Sequence, residues 1–347
     1  DHRDLHLSLR RQRQMCIRDS SMSQNIKKEF EKNGFVRIRN VLDYKLDLQP
    51  ILNDMAFIMN RLVHRFVPKK DKRRVLGLSF KKKYSYLVKL NIPELDQYFN
   101  IRLPQNINVD SDFFASQSIF NLIKNKKILE KVSKILGQEI SSNPCQNSRI
   151  KQPEKAISKK NLHDGLVGRT PWHQDAGVMN KKGQKGTELV TCWIPFTKTR
   201  IENGCMLAVK ESHKLGLVNH DTGSKGQVEI KGKEKIDDLK TIALEANVGD
   251  IILLSRYLIH CSLPNKSKNF RISMDLRFNK TGQHSGRDPL PSFVVKSKNR
   301  KNIKVNNYKQ WIAMWEEAKN KCIPRKWTYK YPLPTFKNSK RDLPNVV

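Results

Sequence analysis

A histidine and an aspartate stand two positions apart in Pro171-Trp172-His173-Gln174-Asp175. In extended chain the side chains at i and i+2 point to the same face, so an imidazole nitrogen and a carboxylate oxygen could reach one ion. His-x-Asp recurs by chance, and a third donor is needed. His260 offers it, where the chain leaves the apolar run Ile251-Ile252-Leu253-Leu254 that follows Gly249-Asp250. Two imidazoles and one carboxylate leave three metal positions open, the donor set of non-haem iron(II) sites that handle oxygen. Arg271 then begins an alternation in which Arg271, Ser273, Asp275 and Arg277 share one face and Ile272, Met274, Leu276 and Phe278 share the other. A planar guanidinium clamps a carboxylate with two parallel hydrogen bonds, and the Ser273 hydroxyl could add a third. The distal carboxylate of 2-oxoglutarate needs that clamp. Taken singly, His260 reads as a loop histidine and Arg271 as a strand surface charge; it is their combination with His173 and Asp175 that points to a site.

Positioning such a set calls for strands. After Ser148 the sequence breaks into short runs of strand character separated by turns: Glu188 to Pro195, Met206 to Val209, Thr241 to Leu244, Ile251 to Leu254 and Phe270 to Phe278. Asn203-Gly204 and Gly249-Asp250 fall where the chain must reverse. Before Ser148 the period is helical. A helix stop at Asn33-Gly34 precedes a short strand through Phe35, Val36 and Ile38, and Leu46, Ile51, Met55, Ile58, Met59 and Leu62 form an apolar stripe between Asp43 and Val67. Further helical pieces are expected between Ile119 and Leu136, and another from Tyr308 to Lys319. The expected architecture is α+β with a mainly β core: an antiparallel barrel or sandwich with helices packed outside.

The chain has 347 residues, enough for a substantial core, and 37% hydrophobic content with 14 Phe and 5 Trp places it among folded chains rather than disordered ones. A formal charge of +34 invites a nucleic-acid partner. The lysines, however, are scattered in short runs such as Lys81 to Lys83 and Lys231 to Lys235 without interleaved aromatics, so a solvated basic surface is expected and nucleic acid is disfavoured. Six cysteines without a CxxC pair suggest neither a zinc ribbon nor a disulfide framework, and no run is long and apolar enough for a membrane span. A cytoplasmic location and a small-molecule partner follow as expectations, with the oligomeric state open. Residues 1–21 are Arg-rich and aperiodic, and the stretch from Arg13 to Ser20 resembles translated adapter sequence. They are expected to be a non-native or disordered tail, with the natural start at Met22.

With these residues in place the chain resembles the phytanoyl-CoA dioxygenase family of iron(II) and 2-oxoglutarate oxygenases, from about Phe30 to Phe293. The resemblance rests on Pro171-Trp-His-Gln-Asp175, Thr191-Cys-Trp-Ile-Pro195, Glu202-Asn-Gly-Cys-Met206 with Glu211-Ser-His213, Gly249-Asp250 with His260-Cys-Ser262, and Arg271-Ile-Ser273. It implies a double-stranded β-helix (jelly-roll, cupin-like) barrel with flanking N-terminal helices. It also implies His173, Asp175 and His260 as iron ligands, Arg271 as the 2-oxoglutarate clamp, and Trp193, Ser262 and Ser148 as further neighbours of the cosubstrate. His213 is expected to be structural. The domain layout that follows is one oxygenase domain over 22–295, helical over 22–147 with its barrel over 148–295, and an extension over 296–347 packed on the barrel.

The activity implied is a dioxygenase reaction in which O2 and 2-oxoglutarate give succinate and CO2 while a small organic substrate is hydroxylated. Related halogenases carry Ala or Gly where this chain has Asp175, so the carboxylate favours hydroxylation. Substrate selectivity would sit in the segments from Gln152 to Arg169 and from Lys214 to Glu245. Two rivals are a nucleic-acid dealkylase of the same superfamily and a catalytically silent barrel used for binding. The first has Arg271 and Arg277 suitably spaced but lacks the histidine spacing and a base-stacking loop; the second is opposed by the complete set of His173, Asp175, His260 and Arg271.

Overall fold

The computed structural model describes residues 25–323 apart from 93–94, 104–112, 158–167, 223–227, 233–235, 237–240 and 289. The expected tail at 1–21, the start at Met22 and the last residues of the C-terminal extension lie outside them. A helix over residues 25–33 (α1) stops at Gly34, whose φ of +83° is open to glycine without strain, and the strand β1 (Phe35–Ile38) follows at once. A π-turn over Tyr44–Leu48, capped by Asp43 accepting from Leu46 N, leads into α2 (Gln49–Phe66). Pro50 sits in the first turn of α2, where its missing N–H has no intrahelical partner to lose. Ile51, Met55, Met59 and Leu62 are buried along this helix as the stripe requires, but Leu46 is 77% exposed. The π-turn breaks the helical phase, and Leu48 takes the buried place instead.

The helical layer continues through α3 (Lys69–Leu76), α4 (Phe80–Lys89), α5 (Gln117–Ile123) and α6 (Lys126–Leu136). Asn125 separates the last two by capping α6, its side chain accepting from Lys127 N at 2.9 Å. Next come β2 (Ile140–Lys151), a short helix α7 (Lys181–Gly186), β3 (Leu189–Pro195), β4 (Met206–Val209), β5 (His220–Thr222) and β6 (Val228–Ile230). β7 (Thr241–Leu244), β8 (Ile251–Ser255), β9 (His260–Ser262), β10 (Arg271–Lys280), β11 (Phe293–Lys296) and α8 (Tyr308–Cys322) complete the described chain.

Among the described residues a large antiparallel sheet runs β1-β8-β3-β10-β2-β11 and a smaller one runs β7-β4-β9, with the hairpin β5-β6 beside them. This is the double-stranded β-helix with a mainly β core and N-terminal helices. Alternation along β10 divides the molecule. Ile272, Met274, Leu276 and Phe278 join the core shared with the helices, while a second apolar cluster, including Trp193, Met206, Leu244, Ile252 and Leu254, fills the space between the two sheets. The polar face of β10 therefore looks into the barrel.

The division of the chain at residue 148 does not match the sheet. β1 pairs with β8, and β2 begins at Ile140 in the middle of the sheet, so the N-terminal segment supplies two barrel strands as well as helices. β2 carries no readable strand pattern because it is polar on a fully covered position. Asn143 and Asn279 hydrogen-bond at 3.0 Å, and Pro144 lies at the irregularity where the register with β10 slips. α8 packs through Trp311 and Trp315 against Phe120 and Phe113, on the helical layer around α5.

Candidate metal and cosubstrate site

The two histidines are joined by backbone before their rings meet. His173 N donates to His260 O and His260 N to His173 O, both at 3.0 Å, an isolated bridge that sets the His-x-Asp segment against β9. The ring centroids are 4.3 Å apart. Each Nδ1 faces a carbonyl, that of Pro171 for His173 and that of Leu258 for His260, at 2.9 Å. A carbonyl only accepts, so both Nδ1 atoms carry the proton and both Nε2 atoms present lone pairs. Burial, reinforced by the His260 ring, pushes the His173 imidazole well below its ordinary pKa and keeps it neutral and able to ligate.

Asp175 completes the set: one donor atom from each of His173, Asp175 and His260 lies within 4.8 Å of the others, and all three side chains are buried. Its carboxylate is held at both ends. Arg277 Nη2 lies 2.5 Å from Oδ1 and Thr191 Oγ1 donates to Oδ2 at 2.5 Å, while Arg277 Nε also donates to Thr191 Oγ1 at 3.0 Å. Burial alone would raise this carboxyl; the Arg277 guanidinium, with the Thr191 hydroxyl, more than reverses that and holds it far below the carboxylate range. The donors fit a single divalent iron, with neutral nitrogens and one anion that remains ionised.

The fit to an anionic cosubstrate rests on Arg271. It is 1% exposed and has no carboxylate partner in the described structure: Nη1 donates to the Ser273 hydroxyl, Nε is buried without a partner, and the guanidinium stands 5.8 Å from the Trp193 ring. Burial and the Arg149 charge lower its pKa to about 10, which still leaves it cationic at neutral pH. A buried cation that no carboxylate contacts is costly, and a bound carboxylate would supply the missing contact and acceptors beyond the field of Asp275. Arg271, Trp193, Ser262, His173 and His260 line one cavity. Ser273 does not line it but backs the guanidinium.

Ser148 does not join them. It is the register partner of Met274 on the helix-facing side of the sheet, and its backbone N–H is held by Asn100. Cross-strand partners share a face, and that face is the wrong one. His213 also stands apart, with Nε2 at 2.9 Å from Glu31 O and its ring against Gly34, whose missing Cβ would fall 2.6 Å from Nδ1.

Two supports went unread in the sequence. Arg277 was visible as a same-face neighbour of Arg271 and by its spacing from it, but nothing in a linear pattern pairs it with Asp175. Gln174, between the two ligand positions, donates from Nε2 to Gly216 O and Tyr257 O, accepts from Val218 N, and gives its own N–H to His220 Nε2 at 3.0 Å. The segment from Lys214 onward thus braces the His-x-Asp loop.

Comparison with known proteins gives a family and a fold. Residues 30–273 match the family model for phytanoyl-CoA dioxygenase (PhyH). A phytanoyl-CoA dioxygenase domain-containing protein 1 homolog from Dictyostelium discoideum is 31% identical over 122 residues, 33% of this chain and 41% of that protein, so the match spans less than half of that relative. The peroxisomal phytanoyl-CoA dioxygenase of Bos taurus is 24% identical over 261 residues, 74% of this chain and 68% of that protein. Among solved structures, the non-heme monooxygenase ThoJ in its apo form shares the fold with a TM-score of 0.55 at 16% identity, over 87% of this chain and 98% of that one.

Proposed function

The chain belongs to the phytanoyl-CoA dioxygenase family and is an oxygenase that uses iron and 2-oxoglutarate; from that premise we propose that it hydroxylates a small organic substrate. In this reading His173, Asp175 and His260 hold the iron, Arg271, backed by Ser273, receives the distal carboxylate of 2-oxoglutarate, and Trp193 and Ser262 flank it. Iron(II) with 2-oxoglutarate and O2 supplies the oxidising power, releasing succinate and CO2 as the substrate C–H is hydroxylated. The observation that carries the reading is a buried cluster of three metal donors, His173, Asp175 and His260, whose two histidines line one cavity with a buried arginine that no carboxylate contacts in the described structure.

The protein's part is to bind, orient and keep water out. The Pro171 and Leu258 carbonyls hold the protons on the two Nδ1 atoms and so aim both Nε2 atoms inward. Thr191 and Arg277 hold the Asp175 carboxylate ionised and in place. Trp193, Met206 and Leu254 give the cavity an apolar wall, which strengthens the hold of Arg271 on an anion.

Anaerobic titration of the protein with iron(II) and 2-oxoglutarate tests the proposal through the visible metal-to-ligand charge-transfer band of the chelate. The band should form in the wild type and be lost in Asp175→Ala and Arg271→Ala. A folded wild type that gives no band overturns the reading.

A further inference from the structure

Directly beside the arginine clamp lies a second buried basic side chain that the reaction as described does not use. Lys151, the last residue of β2, is the register partner of Arg271 and is itself 1% exposed. Its Nζ donates to Ser262 Oγ at 2.7 Å and to Leu263 O at 2.6 Å, both uncharged acceptors. The fold makes room for the stem: Gly204 has φ of +87°, and a Cβ there would fall 2.8 Å from Lys151 Cδ. Asn265 Nδ2 holds the Lys151 carbonyl at 3.1 Å.

Ser262 lines the cavity together with Arg271, and its oxygen receives a second hydrogen bond, from Thr170 N at 2.9 Å. A hydroxyl has two lone pairs and one proton. With Lys151 and the Thr170 amide both donating to it, the oxygen has no lone pair left to offer, and its proton must be given away. We propose that Lys151 is a positioning residue for the cosubstrate, which by occupying Ser262 Oγ turns the Ser262 O–H into an obligate donor to a 2-oxoglutarate oxygen. This rests on the cavity being the 2-oxoglutarate site.

The charge arrangement supports the same assignment. Burial first, and then the Arg271 charge, pull the Lys151 amine well below the usual lysine range. The ligand-free protein thus disfavours a second charge on Lys151, across the register from Arg271, and an anion bound between the sheets favours the ammonium form that donates to Ser262. Lysine as a point donor also explains why a flexible stem threads past Gly204 to reach a hydroxyl rather than a carboxylate.

A double-mutant cycle on 2-oxoglutarate affinity, measured anaerobically on iron(II)-loaded protein, tests it. Lys151→Met and Ser262→Ala should each weaken binding roughly tenfold, the size of one charge-assisted hydrogen bond. Lys151→Met combined with Ser262→Ala should be no weaker than Ser262→Ala alone, because the lysine acts through that hydroxyl. Lys151→Gln, which retains an N–H donor, should recover part of the loss and replaces Lys151→Met in the cycle if that variant does not fold. Unchanged affinity in the lysine variants, or penalties that add in full, overturns the inference. Failure of the wild type to bind 2-oxoglutarate would instead remove the reading beneath it.

Discussion

Arg277 and Asp175 form a buried ion pair at 2.5 Å in which the carboxylate is fully enclosed and the guanidinium is 5% exposed. The pair does two jobs that a surface ion pair could not. It keeps a fully buried carboxyl ionised, and it fixes one oxygen of a residue whose other oxygen is fixed by Thr191. Removing one partner of such a pair leaves an uncompensated charge, so Arg277→Met should cost ~3–5 kcal/mol of folding stability at neutral pH. Chemical denaturation of the metal-free protein measures this. An unchanged midpoint would mean that the pair contributes nothing.

Arg271→Met should behave in the opposite way. The wild-type side chain is a buried cation whose Nε has no partner, so replacing it with an apolar chain of similar length removes a desolvation cost rather than a paired charge. The ligand-free melting temperature is expected to stay level or rise. The upward shift that 2-oxoglutarate gives the iron-loaded wild type is expected to vanish. Differential scanning fluorimetry with and without 2-oxoglutarate reads both, and a ligand-free protein that melts clearly lower would show that Arg271 serves the fold before the site.

What could be read from sequence, and what could not, divides by the range of the interaction. The strand of Arg271 and the facing of Ser273, Asp275 and Arg277 follow from a period of two, which is local. The distance between His173 and His260 is not local, yet the flanking Gly249-Asp250 turn and apolar strand made it legible. β2 was missed because its burial is polar: Asn143, Gln146 and Asn147 are covered by hydrogen-bonding neighbours rather than by apolar packing. Ser148 was misplaced for the same reason, since a strand that is not seen has no faces. Lys151 and His220 were invisible, because a buried lysine and a buried histidine look in sequence like any others.

Iron itself should stabilise the fold. A ligand bound by the native state alone adds RT ln(1 + [L]/Kd), about 2.7 kcal/mol at a hundredfold excess over Kd. Anaerobic iron(II) should therefore raise the melting temperature of the wild type in a concentration-dependent way, and a chelator should return it to the metal-free value. His260→Ala, which removes a donor without breaking the Asp175 pair, should fold and show no such rise. A rise that persists in His260→Ala would place the metal elsewhere.

His220 adds a pH dependence to the loop that carries His173 and Asp175. Its Nε2 accepts from Gln174 N, its Nδ1 faces Val218 O at 2.8 Å, and its ring lies so close to Gly177 that a Cβ there would fall 2.6 Å from Nε2. Burial is the largest influence on the ring and lowers its pKa to about 4; the Val218 carbonyl and Asp221 oppose this without overcoming it. Since the unfolded chain has a histidine pKa of about 6.5, the unfolded state takes up a proton between these values and the folded state does not. Stability from this group is therefore complete above about pH 6.5, falls as the pH drops toward 4, and amounts to ~3 kcal/mol across that window. His173 titrates in the same metal-free protein, so the comparison is between wild type and His220→Gln, which retains an acceptor for the Gln174 N–H but cannot titrate. The variant should show a flatter loss of stability between about pH 6.5 and 4 than the wild type. Parallel profiles would show that His220 is not the group responsible.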